Sequence, residues 1–530
     1  MTHYLTALAF AFATLVAPVL AKTQTPNVLV IVADDLGVDP LAAYHNARRT
    51  AFTPTLDSLI AEGVLFENNF APPKCTPSRA AMLTGKYGVK NGVLGTPGTL
   101  DTIHHTLFRE LESAQPGVYA NAVFGKWHLK SPADPNDPAR HGVQHFDGVT
   151  GGGVADYVNW QRTLNGVTST EREYATSVFT SEAIDWIRSQ TKPWFIWMAH
   201  VAPHTPYHIP PTELFTTSNT NNNLGKYIAM IESLDAETNR LLSALTTSQR
   251  ANTVVIFIGD NGTPSPVLQD YPNNHGKATL YQGGVRVPFV IAGAGVTRKG
   301  EREESLVHSA DIFSTVLALT GSTQRSGSEN SLSLVPYLNG TQGAGRIYNY
   351  SEIGLETPSG WTIRTAQYKL ITFDDATQEF YDLVADSLET TNLLLDGLTP
   401  AQLDVKADLE AEAAQQRDAY SCRDFIQNGD EAGIDCGGSS CSPCTSSVSD
   451  VAKVDVRLSP NPVLNQLSIH TTESTIKYVE VFDLRGKLLL RKTGINAQTA
   501  QLSVENLSPQ LLFVRLRLGD KVLVRQLVKQ

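Results

Sequence analysis

The chain has 530 residues, 41% of them apolar, and a net charge of −11 with an isoelectric point near 5.6. That length exceeds one compact core and predicts about three units. The acidic balance argues against a nucleic-acid binder, which normally shows a basic face, although a metal ion and a few local cations can still reverse the field in one cleft.

Residues 1–21 read as a signal peptide. Leu8–Leu20 is almost wholly apolar and Val19-Leu20-Ala21 offers a small-x-Ala cleavage site, although the leader carries His3 in place of Lys or Arg. A buried first strand or helix is the alternative.

Residues 22–325 alternate short apolar runs with helical patterns. The runs Val28–Ala33, Ala122–Phe124, Trp194–Ala199, Val254–Ile258 and Phe289–Ala292 are continuous, as strands covered on both faces are. Tyr227, Ile231, Leu234, Leu241 and Leu245 recur at helical spacing, with Glu232, Asp235 and Glu237 expected to face away. The pattern is that of an α/β domain with a mainly parallel central sheet flanked by helices. Such sheets bind ligands beyond the carboxyl ends of their strands. At those ends stand Asp34-Asp35, Gly125-Lys126-Trp127-His128, His200 with His204, and Asp260-Asn261.

Residues 326–420 read as a smaller α+β subdomain. Two short strands, Tyr368–Ile371 and Glu379–Leu383, are followed by a helix over Ala401–Gln416. In 421–453, Cys422, Cys436, Cys441 and Cys444 crowd together. Two disulfides are the favoured reading in an exported chain, with zinc as the rival, and a polar linker follows. Residues 454–530 alternate as strands and end in a hairpin of Leu511–Leu518 and Lys521–Val528, which predicts an appended β-sandwich.

Cys75 stands apart from the other four cysteines. Pro77 suits the first turn of a helix, so Cys75 falls at a helix N-terminus, where backbone N–H groups favour an anion. By itself this describes a reactive thiolate or an inert buried cysteine. The longer pattern Cys75-Thr76-Pro77-Ser78-Arg79, followed by Leu83-Thr84-Gly85, resembles the signature of the type I, formylglycine-dependent sulfatases of the alkaline phosphatase superfamily. The resemblance runs from 26 to about 395. It includes Pro26–Gly37, Gly125–Leu129, Ala202–Pro206, Asp260–Gly262, Lys277–Arg286, and Tyr381–Leu383 with Glu389–Leu393. It implies an alkaline-phosphatase-like fold.

The resemblance also assigns roles. Cys75 would be oxidised to formylglycine by a formylglycine-generating or anaerobic sulfatase-maturing enzyme, giving a gem-diol whose second hydroxyl expels sulfate. Asp34, Asp35, Asp260, Asn261 and the modified Cys75 would hold Ca²⁺ or Mg²⁺, a hard ion matched to oxygen donors. Arg79 would steady the gem-diol, Lys126 and Lys277 would contact sulfate oxygens, His128 would take a proton from residue 75, and His204 would protonate the leaving alkoxide. His200 reads as structural. Lys130 and Gln282 depart from the family, which has glycine and glutamate there. Both are expected at the substrate rim, with Tyr157, Trp160, Tyr271 and Trp361 as candidate sugar-stacking residues and simple packing as the commoner fate of each.

The implied substrates are sulfated polysaccharides or their oligosaccharides of the ulvan, carrageenan, fucoidan or glycosaminoglycan type. Leu458–Pro462, Val481–Lys487 and the final hairpin resemble a type IX secretion sorting domain, with a carbohydrate-binding sandwich as the alternative. That resemblance implies partnership with the type IX machinery and a secreted or cell-surface location.

Overall fold

The computed structural model describes residues 25–44, 48–322, 330–341, 345–355, 358–418, 456–471, 475–482, 488–518 and 521–529. The leader 1–21, the four clustered cysteines and residues 421–453 lie outside the described residues. The chain divides into two compact units, 1–441 and 442–530.

The first unit is built on ten strands. In chain order they are β1 (Asn27–Ala33), β2 (Gly63–Phe70), β3 (Ala120–Lys126), β4 (His145–Val149) and β5 (Trp160–Leu164), then β6 (Val167–Glu171), β7 (Trp194–Ala199), β8 (Thr253–Gly259), β9 (Phe289–Gly293) and β10 (Glu301–His308). Their order across the sheet is β10-β2-β9-β8-β1-β7-β3-β4-β5-β6. The central run β8-β1-β7-β3-β4 is parallel throughout. Every residue of β1 is buried because both of its faces are covered. Leu29 and Ile31 enter one core layer while Val28, Val30 and Val32 enter the other, the period-two alternation of a strand between two helical layers. The apolar run at 289–292 does form a strand, β9, but it lies antiparallel to β8 and β2.

Helix Asn223–Ser243 carries the expected apolar stripe, but Glu232, Asp235 and Glu237 do not face away. All three are buried at 5%, 5% and 2% exposure. Asp235 accepts from the backbone N–H of Thr55 and Leu56 at 3.0 and 2.8 Å, satisfying orphan donors at the start of helix Pro54–Glu62. Glu232 accepts from Phe52 and Thr216, and Glu237 from Ser177 and Arg240. The helix is therefore covered on its polar side too, by elements that supply hydrogen-bond donors.

Beyond the large sheet, β11 (Asn349–Ile353), β12 (Gly360–Arg364), β13 (Tyr368–Phe373) and β14 (Gln378–Asp382) form an antiparallel sheet, followed by helix Pro400–Asp418. In the second unit, β15 (Val456–Ser459), β16 (Gln466–Thr471) and β19 (Thr499–Ser503) form one sheet. The other contains β17 (Ile476–Phe482), β18 (Leu488–Ala497), β20 (Gln510–Leu518) and β21 (Lys521–Lys529). One apolar core draws on both sheets, as in a small sandwich, and Leu518 pairs with Lys521 at the terminal hairpin.

Candidate active site

Strands β8, β1, β7 and β3 are adjacent and parallel, so their carboxyl ends release Asp260, Asp34, His200 and Lys126 along one edge. Asp35 follows at φ 68°, and His128 sits at φ 57°. Both conformations are costly for a residue with a Cβ and persist where neighbours hold them. Tyr227 Oη donates to Asp35 O at 2.7 Å, and Asp35 N donates to Asp260 Oδ1 at 3.0 Å. Gly125 (φ 101°) permits the close approach of β3 to β7, because a Cβ there would lie 2.0 Å from Ala199 O.

Helix Cys75–Thr84 brings the fifth component. Its residues are all buried, Lys74 is the N-cap, Pro77 lies in the first turn, and Gly85 closes the helix in the left-handed conformation. Cys75 Sγ lies 3.5 Å from Asp34 Oδ1, 3.8 Å from Asp35 Oδ1 and 3.5 Å from Lys277 Nζ. Potential ligand atoms of Asp34, Asp35, Cys75 and His204 all fall within 4.8 Å of one another. Lys126 Nζ donates to Asp34 Oδ2 at 2.6 Å, and Lys277 Nζ pairs with Asp35 Oδ1. Arg79, fully buried, donates Nε and an Nη to Asp260 Oδ2 at 3.1 and 2.9 Å, and its other Nη to Lys126 O at 2.8 Å. Thus Arg79 engages a carboxylate and the end of β3, and it orients Asp260.

Three buried carboxylates in one place demand compensation. Burial pushes Asp34 up, but Lys126, His204, Arg79 and Lys277 outweigh it and hold the carboxyl well below its usual range. Asp260 is raised to about 7 by burial and by the neighbouring Asp34 carboxylate, in spite of Arg79 and Lys126. Burial raises the Cys75 thiol to about 12, against the pull of Lys126 and Lys277. The unmodified cysteine is therefore a protonated thiol at neutral pH and a poor nucleophile. His128 is pushed down to about 2 by burial, Lys126 and Arg79, so its imidazole is neutral and, beside these cations, a weak base. Its Nδ1 is buried and has no hydrogen-bond partner among the described residues.

The donor set fits a hard divalent cation. It consists of carboxylates plus an amide, and Asn261 Oδ1 is buried without a partner while its Nδ2 donates to Asp35 Oδ1 at 2.9 Å. An amide oxygen so placed, without a hydrogen-bond partner among the described residues, can serve as a cation ligand. His204 Nε2 lies 3.8 Å from Asp35 Oδ2, at the mouth of the cluster and 22% exposed. His200 is buried and held neutral, with a pKa pushed down to about 3 by burial.

Four residues expected at the rim lie in the interior. Tyr157 is 2% exposed and its hydroxyl donates to His204 O at 2.7 Å, so it supports His204 from beneath. Trp160 is 2% exposed, packs on Phe179 and donates to Glu173 O. Tyr271 is 5% exposed and lies against Gly283. Trp361 is half-buried against the core of the smaller sheet. Gln282 is also interior, at the start of helix Gln282–Val285, with its backbone N–H on Glu389. Each of these aromatic side chains packs between elements, where a large apolar side chain gains most from burial.

Sequence reasoning missed Gly152 and Gly153. A Cβ at Gly152 would lie 3.0 Å from the His128 ring, and one at Gly153 would lie 3.3 Å from His204 Nδ1. The run Gly151-Gly152-Gly153 was the available signal, since backbone that passes this close to two imidazoles requires glycine.

Residues 26–322 match the family model described as Sulfatase. Residues 273–419 match N-sulphoglucosamine sulphohydrolase, C-terminal, and 460–528 match a domain of unknown function. Arylsulfatase J of Mus musculus is 29% identical over 323 residues, covering 56% of this chain and 53% of the relative. N-acetylgalactosamine-6-sulfatase of Homo sapiens is 30% identical over 357 residues, covering 59% and 66%. The chain thus spans between about half and two thirds of the length of these curated relatives. The crystal structure of Ps i-CgsB in complex with k-i-k-neocarrahexaose superposes with a TM-score of 0.65 at 24% identity, over 74% of this chain and 93% of that one, a likeness of fold.

Proposed function

Because the chain belongs to the sulfatase family, we propose that it hydrolyses sulfate esters on sulfated glycans, of the carrageenan, ulvan or fucoidan class, at the cluster around Cys75. The observation that carries this reading is the position of Cys75. It lies within 3.5 Å of Asp34 and of Lys277, with its own thiol too weakly acidic to act as a thiolate.

Conversion of Cys75 to formylglycine supplies a hydrated aldehyde, a nucleophile with a second hydroxyl that a thiol lacks. Asp34, Asp35, Asp260 and Asn261 would hold Ca²⁺ or Mg²⁺, which would supply Lewis-acid polarisation of the sulfuryl group. The protein's own groups do the rest. Lys126 and Lys277, which pair with Asp34 and Asp35, would be the cationic contacts for sulfate oxygens. His128 is assigned the proton released at residue 75 by the resemblance over Gly125–Leu129. His204, the more exposed imidazole, donates a proton to the departing sugar oxygen. Arg79 orients Asp260 through two N–H donors on Oδ2.

The preference for a glycan draws on relatives whose own names specify N-acetylgalactosamine-6-sulfate and a neocarrahexaose complex. The reading also requires a maturing enzyme that acts on Cys75, and export through the leader and the type IX route.

Protein from its natural host is assayed on aryl sulfate and aryl phosphate esters, with mass spectrometry of the Cys75 peptide. The expected result is sulfate turnover, an aldehyde at 75, and no turnover by Cys75→Ala. Full activity of Cys75→Ala, or a strong preference for phosphate, refutes the proposal. Recovery of the protein in cell extracts alone, with its leader uncleaved, refutes the export reading.

A further inference from the structure

The charge of this chain is unevenly divided. Residues 456–530 hold eleven Lys and Arg against five Asp and Glu, so the second unit is basic while the remainder carries the acidic excess. Part of that positive charge is organised on one sheet face. On β17, Val479 and Val481 point into the core, so Tyr478, Glu480 and Phe482 point out. On β20, Val514 and Leu516 point in, so Phe513, Arg515 and Arg517 point out. The registers place Tyr478 beside Arg517, Glu480 between Arg491 and Arg515, and Phe482 beside Phe513.

Glu480 is almost wholly covered, and two guanidinium groups share its single carboxylate, Arg491 at 3.1 Å and Arg515 at 2.5 Å. Arg515 also lies 4.8 Å from the Phe482 ring centroid, and Arg491 lies 5.9 Å from that of Tyr478. Stacking on aromatic rings fixes the planes of these guanidinium groups and leaves further N–H donors toward solvent. Their side chains are 57% and 44% exposed. The result is a half-buried aromatic floor bearing fixed planar cations in excess of the one acid between them, which matches sulfate groups repeated along a chain.

We propose that this outer face of β18-β17-β20 binds a sulfated polysaccharide, independently of the catalytic cluster. Binding would hold polymer at a high effective concentration near the catalytic unit of the same chain, lowering KM for long substrates without altering the chemistry. The binding itself stands without the sulfatase reading; only this kinetic consequence rests on it.

The test uses the full chain and the compensated variant Arg491→Gln/Glu480→Gln/Arg515→Gln. The variant removes the covered carboxylate together with its partners, so no buried charge is stranded. Retention is measured by affinity electrophoresis on dextran sulfate, with neutral dextran, phosphatidylglycerol vesicles and duplex DNA as comparisons. The expected result is salt-sensitive retention by dextran sulfate alone, weakened at least about tenfold in the variant through loss of charge-assisted contacts. Turnover of a small aryl sulfate stays the same in both proteins, while KM for a sulfated polymer rises in the variant. Equal retention of the two proteins, or tighter binding to vesicles or DNA, overturns the proposal. Loss of aryl sulfate turnover in the wild-type protein would count against the catalytic reading instead. Should the triple variant unfold, Arg517→Gln on the same face is expected to weaken retention in the same direction, and unchanged retention there also overturns the proposal.

Discussion

The Lys277 loop is seated on a buried ion pair, and replacing Glu389 by glutamine tests how. Glu389 and Lys369 are fully covered; one Glu389 oxygen accepts from Lys369 Nζ and the other from the backbone N–H of Gln282, five residues beyond Lys277. Breaking a buried pair from one side costs about 3–5 kcal/mol when the remaining charge has no escape. Lys369 has one, because burial, only partly offset by Glu389, already brings its pKa down to about 8. Losing that proton costs on the order of 1 kcal/mol at pH 7, on the order of 3 at pH 6, and almost nothing at pH 8. The neutral amine then accepts from the introduced amide. Adding about 1 kcal/mol for the weaker bond to Gln282 N gives a loss of about 2 kcal/mol at pH 7, more at pH 6 and about 1 at pH 8.

The sign follows from proton counting. The folded variant binds one proton fewer than the folded wild type below pH 8, so its disadvantage shrinks as pH rises. Urea unfolding of Glu389→Gln and wild type at pH 6, 7 and 8, followed by tryptophan fluorescence, reads this directly. Adding Lys369→Met should recover most of the loss, since no buried charge then remains. A penalty that is constant or growing between pH 6 and 8 would refute the reasoning.

Gly152→Ala should lower turnover by about a hundredfold with an unchanged urea midpoint, because the new methyl displaces the His128 ring at 3.0 Å; unaltered kinetics would show that the contact is irrelevant. His200 is neutral in the fold, with a pKa near 3, and titrates near 6.5 once unfolded, so stability present above pH 6.5 is lost as pH falls. The loss reaches about 2 kcal/mol by pH 5, and His200→Met should flatten the wild-type decline between pH 7 and 5 by that amount. Calcium at a hundred times its Kd should stabilise the folded protein by about 2.7 kcal/mol, and Asn261→Ala should reduce this at the same concentration; an equal shift in calorimetry would remove Asn261 from the ligand set.

Much of this site could be read from local chemistry. Continuous apolar runs require cover on both faces, so β1, β3, β7 and β8 were visible as interior strands, and the polar residues that end them fall at one edge of a parallel sheet by geometry alone. The Cys75 helix was legible because Pro77 and Gly85 mark its first turn and its end. Less visible were β2 and β10, which pair with each other across more than two hundred residues, and the antiparallel direction of β9, which no local pattern encodes.

Burial of individual side chains was decided by tertiary structure. Glu232, Asp235 and Glu237 have the spacing of a solvated face, yet donors from helix Pro54–Glu62, residues 216–217 and Ser177 make their burial favourable. Tyr157 carries the composition of a sugar-binding aromatic and is used instead to hold the carbonyl of His204. The sequence by itself determined which groups could do chemistry, because valence and charge belong to each residue type. Only the folded chain decided which of them lose water and which neighbours they meet, because desolvation and Coulomb energies depend on distances between residues far apart in the chain.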